Sequence, residues 1–132
     1  MDNRSNAELL AEALAAHGTI AIVHAAADGT FAFWNDGAEA IFGYASTEVI
    51  GRRIDLVVPE DYRDMHWVGF NRTIGSTWRG ADGWGEIEAL HKTGARLSLE
   101  VLLTPISDAS GRVLSVLGMF RRPAVSPASP AK

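Results

Sequence analysis

Few side chains in this sequence can do chemistry, and one of them stands where an apolar residue would be expected. His66 lies in VVPEDYRDMHWVGFNRTIGST, residues 57–77. Pro59 is well placed as the first residue of a helix. At 100° per residue such a helix carries Tyr62, Met65, His66, Gly69, Phe70 and Thr73 on one face and turns Asp64, Trp67 and Asn71 elsewhere. A histidine in that stripe is either a core residue with hydrogen-bonded ring nitrogens or a ligand to something held against the helix. Three neighbours favour the ligand. Gly69, one turn on, leaves room beside the imidazole for a flat molecule, and Met65 and Phe70 supply apolar walls. Arg72, about 120° round the helix from His66, offers a guanidinium to a carboxylate. A neutral imidazole for iron, apolar packing for a macrocycle and a cation for propionates are the requirements of haem b.

The other reactive types read more plainly. His24 shares an alternation phase with Ile20 and Ile22 but ends its strand, His91 meets a turn, and His17 closes the first helix, where a cation suits the helix dipole. Glu86, Glu88 and Glu100 alternate outward as a solvated face, Trp34 is core packing, and Trp67 reads as a partner surface or lid. No G-x-S-x-G elbow, Walker-A loop or H-E-x-x-H is present, and GADGWGE has the wrong spacing for a dinucleotide turn. The protein is therefore expected not to be an enzyme.

The chain has 132 residues, no cysteine and a formal charge of −4. Thiolate chemistry, disulfides and zinc-thiolate sites are excluded, so histidine and carboxylate must carry any metal chemistry. The charge, with Arg52 and Arg53 too few to form a patch, argues against nucleic acid or an anionic membrane. The N-terminus has neither the basic start nor the apolar run of a signal peptide, which points to the cytoplasm. Three parts are expected: an N-terminal helix within residues 1–18, one domain over 19–122, and a disordered Pro-rich tail over 123–132.

Ser5 and Asn6 can cap a first helix over about Ala7 to Ala16, with Leu9, Leu10 and Leu14 in a stripe. TIAIVHAAADG and TFAFWN read as a hairpin about an Asp-Gly turn. GAEAIFGY and STEVIG follow as short helices, the second with Ser46 at its cap, and then the His66 helix. GEIEALHK, ARLSLEVLLTPI and RVLSVLGMFRR complete the chain as strands, with Leu97, Leu99, Val101 and Leu103 in the period-two pattern of a half-buried one. The order predicts an α+β fold: a five-stranded antiparallel sheet with helices on one face and an additional N-terminal helix.

With the elements in that order, DGTFAFWNDGAEAIFGYASTEVIGRRIDLVVPED and GEIEALHKTGARLSLEVLLTPISDASGRVLSVLGMFR resemble the two halves of a PAS domain. The resemblance covers residues 19–122 and rests on Trp34-Asn35, Phe42-Gly43-Tyr44, Glu48, Gly51 and Pro59-Glu60, which keep the family's order and spacing. It implies a sensor module with a cofactor space between sheet and helix. The His66 stretch is similar to the haem PAS domains of bacterial oxygen-sensor kinases, where the iron-binding histidine follows Pro-Glu at this spacing and an arginine further along pairs with a propionate, as Arg72 would. In those kinases an arginine on the third strand reaches bound oxygen, and the matching position here is Gly85. Ile87, Val101 and Leu103 would then leave an apolar wall, with Trp84 on the opposite face of its strand. The expected diatomic ligands are CO, NO and O2, with O2 held least well. Flavin-binding photochemical relatives use a cysteine, which is absent. A homodimer through the first helix and a signalling partner are also expected. The competing function is a non-haem PAS module for dimerisation or for an apolar small metabolite.

Overall fold

The computed structural model describes residues 3–124, and the tail expected over 123–132 lies outside the described residues from residue 125 onward. Five strands form one antiparallel sheet in the order β2-β1-β5-β4-β3: β1 is Ala21–Ala25, β2 Phe31–Trp34, β3 Gly85–Leu90, β4 Arg96–Ser107 and β5 Val113–Arg121. Between β2 and β3 run α2 (Asp36–Phe42), α3 (Ser46–Val49), two 3-10 turns (Ile54–Val57 and Glu60–Tyr62) and α4 (Arg63–Thr73).

Register decides what faces the helices. Val23 lies opposite both Trp34 and Gly118, Val101 opposite both Gly85 and Phe120, and Leu103 opposite Gly118. This row is the inner face, and Ala38, Ile41, Phe42 and Val49 pack against it. Phe42 sits between Trp34 and Phe120, with ring centroids 5.3 and 5.4 Å away. Ala21, Val23 and Ala25 therefore point inward, and the Ile22–His24 phase takes the other face, where the His24 ring bonds Ser115 Oγ at 2.8 Å.

Asn35 ties the β1–β2 half together. Its buried Oδ1 accepts from the N–H of Ile22 at 2.8 Å and of Ala38 at 2.9 Å, capping α2. Its Nδ2 lies within 3.0 to 3.2 Å of the carbonyls of Leu14, His17 and Ile20. Gly37 completes the junction, since a methyl there would stand 2.0 Å from the Ile20 oxygen.

Three helix boundaries differ from expectation. The first helix, α1, is Asn6–Ala15, capped by a reciprocal Ser5–Glu8 pair. At α3 Ala45 holds the cap position in place of Ser46, its N–H bonded to the Glu48 carboxylate at 2.8 Å. Pro59 does not begin the long helix: it is extended, at ψ 144°, and a 3-10 turn separates it from α4, which begins at Arg63. Val58, extended as a residue before proline must be, sends its carbonyl to Arg63 Nε at 3.1 Å. No helix among the described residues is long and apolar enough to cross a membrane.

Candidate functional site

The contacts of α4 with the core set which of its residues look inward. No residue of α4 is fully buried, but His66, Trp67 and Phe70 are half-buried and both Trp67 and Phe70 pack against the core cluster. Met65 is 73% exposed. Trp67, expected on another face, is turned in, because an indole has more apolar area to remove from water than Met65 at the neighbouring position.

Between α4 and the β3–β4 end of the sheet lies a cavity of about 770 Å³, a volume suited to a cofactor or other sizeable small molecule. Its apolar wall includes Ile87, Leu99, Val101, Leu103 and Phe120 from the sheet, faced by Ile54 and Val57. A smaller pocket of about 100 Å³ continues toward Val23, Phe31 and Trp34. His66 borders both. Its Nδ1 is buried without a hydrogen-bond partner, and neither ring nitrogen is hydrogen-bonded among the described residues. Burial holds the imidazole pKa below its ordinary 6.5, an effect the Asp55 carboxylate partly opposes, so the ring is neutral at pH 7. An unprotonated, uncommitted imidazole on an apolar wall is able to donate to a metal.

Of the residues singled out from sequence, Tyr62, Met65, His66, Ile87, Val101 and Leu103 border the large cavity, and Phe70 the inner pocket. Gly69 and Arg72 border neither; both are exposed, and a methyl added to Gly69 would meet nothing within 4 Å. The bare surface of Gly69 thus lies on the solvent side of α4, not beside the imidazole. Trp84 also borders neither space, lying 3.8 Å beneath the Arg121 guanidinium. His17 Nδ1 accepts from Ile20 N–H at 3.2 Å, and His91, bonded to Thr93, lies against Gly43.

Sequence reading missed the mouth. Arg96 donates to Asp61 at 2.6 Å and Glu88 at 2.8 Å, with its guanidinium 5.6 Å from the Tyr62 ring. Glu86, Glu88 and Glu100 border the cavity as well as reaching solvent, and Glu100 accepts from Arg121 at 2.7 Å. The Thr93-Gly94 turn carried a signal for Arg96, because the register it sets pairs Leu90 with Arg96 and puts Glu88 on the diagonal. Nothing local indicated Asp61, 35 residues away in the chain.

The family model described as the PAS fold matches residues 10–123. The chain is 33% identical over 84 residues to the oxygen sensor protein DosP of Escherichia coli K12, an alignment covering 61% of this chain and 10% of that protein. The chain thus spans about a tenth of the length of that relative. Among solved structures, a PAS domain from Colwellia psychrerythraea superposes with a TM-score of 0.74 at 23% identity, covering 90% of this chain and 98% of that one. A Rhodobacter sphaeroides light-oxygen-voltage protein does so with 0.70 at 11% identity, covering 95% and 72%. At these identities the structural likenesses establish the fold.

Proposed function

We propose that this chain, which belongs to the PAS-fold family, is a sensor domain that binds haem b through His66. The observation that carries the reading is the neutral imidazole at the wall of an apolar cavity, with a buried Nδ1 that has no partner. A buried polar nitrogen left unpaired costs about 1–3 kcal/mol, so its retention favours a use outside the apo core. Among the described residues no three His, Asp or Glu side chains gather as a metal site. A single protein donor suits a metal that arrives inside a macrocycle supplying its other ligands. The name of the 33% identical relative, an oxygen sensor, supports the same class of signal.

In this reading His66 would hold the iron, and Ile87, Leu99, Val101, Leu103 and Phe120 would pack on the porphyrin. A propionate would engage Arg96 by displacing Asp61 or Glu88, since Arg96 pairs with Glu88 and lies against Tyr62, both in the cavity wall, and no such contact joins Arg72 to that wall. Iron held in this way would bind diatomic gases. The inner row of β3 and β4, Gly85, Ile87, Leu99, Val101 and Leu103, carries no polar side chain, so nothing there donates to a ligand gaining negative charge. Ferrous, loaded protein is expected to give stable spectra with CO and NO and to turn ferric in air; a ferrous form that persists in air would place a donor elsewhere.

Absorption spectroscopy after hemin addition tests the assignment. The wild type, His24→Ala and His91→Ala should show a sharp stoichiometric Soret band that His66→Ala lacks. A colourless wild type would leave a non-haem module for dimerisation or for an apolar metabolite in the same cavity. Signalling would pass through a homodimer, since α1 buries none of its residues and leaves Leu9, Leu10 and Leu14 in water. Replacing Leu10, 60% exposed, with glutamate should halve the mass in solution, and an unchanged mass refutes this contact.

A further inference from the structure

We infer that Trp67 is the positioning residue for His66, locked by Asp55 and by a slot over Gly29; the inference rests on the haem reading of His66. The helix that carries His66 buries none of its residues fully and is bare at Gly69, so its general packing holds the imidazole weakly. The next residue supplies the hold. The Trp67 indole N–H donates to Asp55 Oδ1 at 2.5 Å. The Arg53 guanidinium covers its ring at 4.3 Å from the centroid and lies 3.9 Å from the same carboxylate. The far edge of the indole passes over Gly29, where an added methyl would stand 2.3 Å from Cη2.

The two ends of this hold are joined to each other. Gly29 has φ +82° in the β1–β2 turn, which is braced by Asp28 Oδ1 accepting from Thr30 N–H at 3.0 Å and Thr30 O–H at 2.7 Å. The Gly29 carbonyl accepts from Ile54 N–H at 2.9 Å, one residue before Asp55. Turn, 3-10 segment and indole therefore close a ring of contacts about α4. Neighbouring helix positions differ by 100° in direction, so fixing Trp67 fixes the direction of His66. The two rings meet edge-on at 5.1 Å and 81°, and Phe70, edge-on to Trp67 at 5.6 Å, lies nearly parallel to the imidazole at 6.0 Å and 20°.

The test compares two ligands of one shape, hemin and metal-free protoporphyrin IX, of which only hemin can use His66. Trp67→Phe keeps the ring and loses the N–H; Asp55→Leu removes the acceptor from the other side; Asp55→Asn keeps a carbonyl oxygen for the indole. Losing a hydrogen bond to a charged group is worth about tenfold or more in an equilibrium. Trp67→Phe and Asp55→Leu should each weaken hemin about tenfold and the porphyrin, followed by fluorescence, less than twofold, while Asp55→Asn restores most of the hemin affinity. The double variant should lose no more than either alone. Equal losses for both ligands would mean that Trp67 only supports the cavity, and an unchanged hemin affinity in both single variants would show that it holds nothing; either overturns the inference. Hemin binding that His66→Ala leaves intact overturns the haem reading itself, and is distinguished because it needs no change at Trp67.

Discussion

The β2-β1-β5 end of the sheet and its β4-β3 end are covered by helices of opposite character. Over the first, α2 places Ala38, Ile41 and Phe42 at 0 to 2% exposure, Phe42 locks edgewise between Trp34 and Phe120, and Asn35 satisfies backbone groups from α1, β1 and α2 at once. Over the second, α4 has no fully buried residue, β3 buries only Ala89, and the space between them is the 770 Å³ cavity. Stability is thus concentrated in one half, while the other keeps apolar surface and a half-buried imidazole at the cavity wall. An under-filled half of this kind can change its packing when something enters, without endangering the rest of the fold.

Three substitutions break or sharpen this contrast. The largest effect is expected at the closed end: Asn35→Leu strands two N–H groups and three carbonyls and should cost at least about 3 kcal/mol in urea denaturation. Met65→Ala at the open end should stay within about 0.5 kcal/mol, and similar values for the two would erase the contrast. The next effect has the opposite sign. His66→Leu removes a buried unpaired nitrogen, so it should stabilise the cofactor-free protein by about 1 kcal/mol while abolishing hemin binding.

That variant also carries a pH signature. Folding depresses the His66 pKa below 6.5, so under mildly acid conditions the unfolded chain takes up more proton at this site than the folded one. The stabilising contribution is present above 6.5 and is lost as pH falls through that value toward the folded pKa. Denaturation followed from pH 7.5 to 5 should show this component in the wild type and not in His66→Leu. The smallest effect belongs to the mouth: Arg96→Ala should weaken hemin by up to about fivefold, as a solvent-exposed ion pair allows, with the difference fading in salt. Arg72→Ala should leave hemin affinity unchanged, and the reverse ranking would return the propionate to α4.

Much of the architecture was legible because it repeats at short range. Leu97, Leu99, Val101 and Leu103 alternate as a half-buried strand does, Ser5 with Glu8 marks a helix start, and the PAS-like signposts around Trp34, Phe42 and Pro59 fixed the order of elements. The direction of α4 was not legible. A helical wheel fixes the angles among Met65, His66, Trp67, Gly69 and Phe70 but not the rotation of the helix about its axis, and packing of Trp67 and Phe70 on the core turned the inward arc to His66, Trp67 and Phe70. Gly69 and Arg72 were carried to the surface by that rotation. His24 was placed in the correct phase with Ile22, yet alternation alone does not say which phase faces the helices.

Sequence by itself determined the order of strands and main helices, the antiparallel sheet, the absence of thiol chemistry and the placing of His66 among apolar residues of a helix. These follow from local periodicity and residue chemistry, which a short window of chain contains. Only the tertiary structure decided that the imidazole nitrogen is left unpaired, that Trp67 turns inward over Gly29 to meet Asp55, and that Arg96 ties Asp61 to Glu88 of the cavity wall. Each depends on groups 12 to 38 residues apart being brought within a few ångströms, and that closeness is set by packing of the whole chain, which no local pattern encodes.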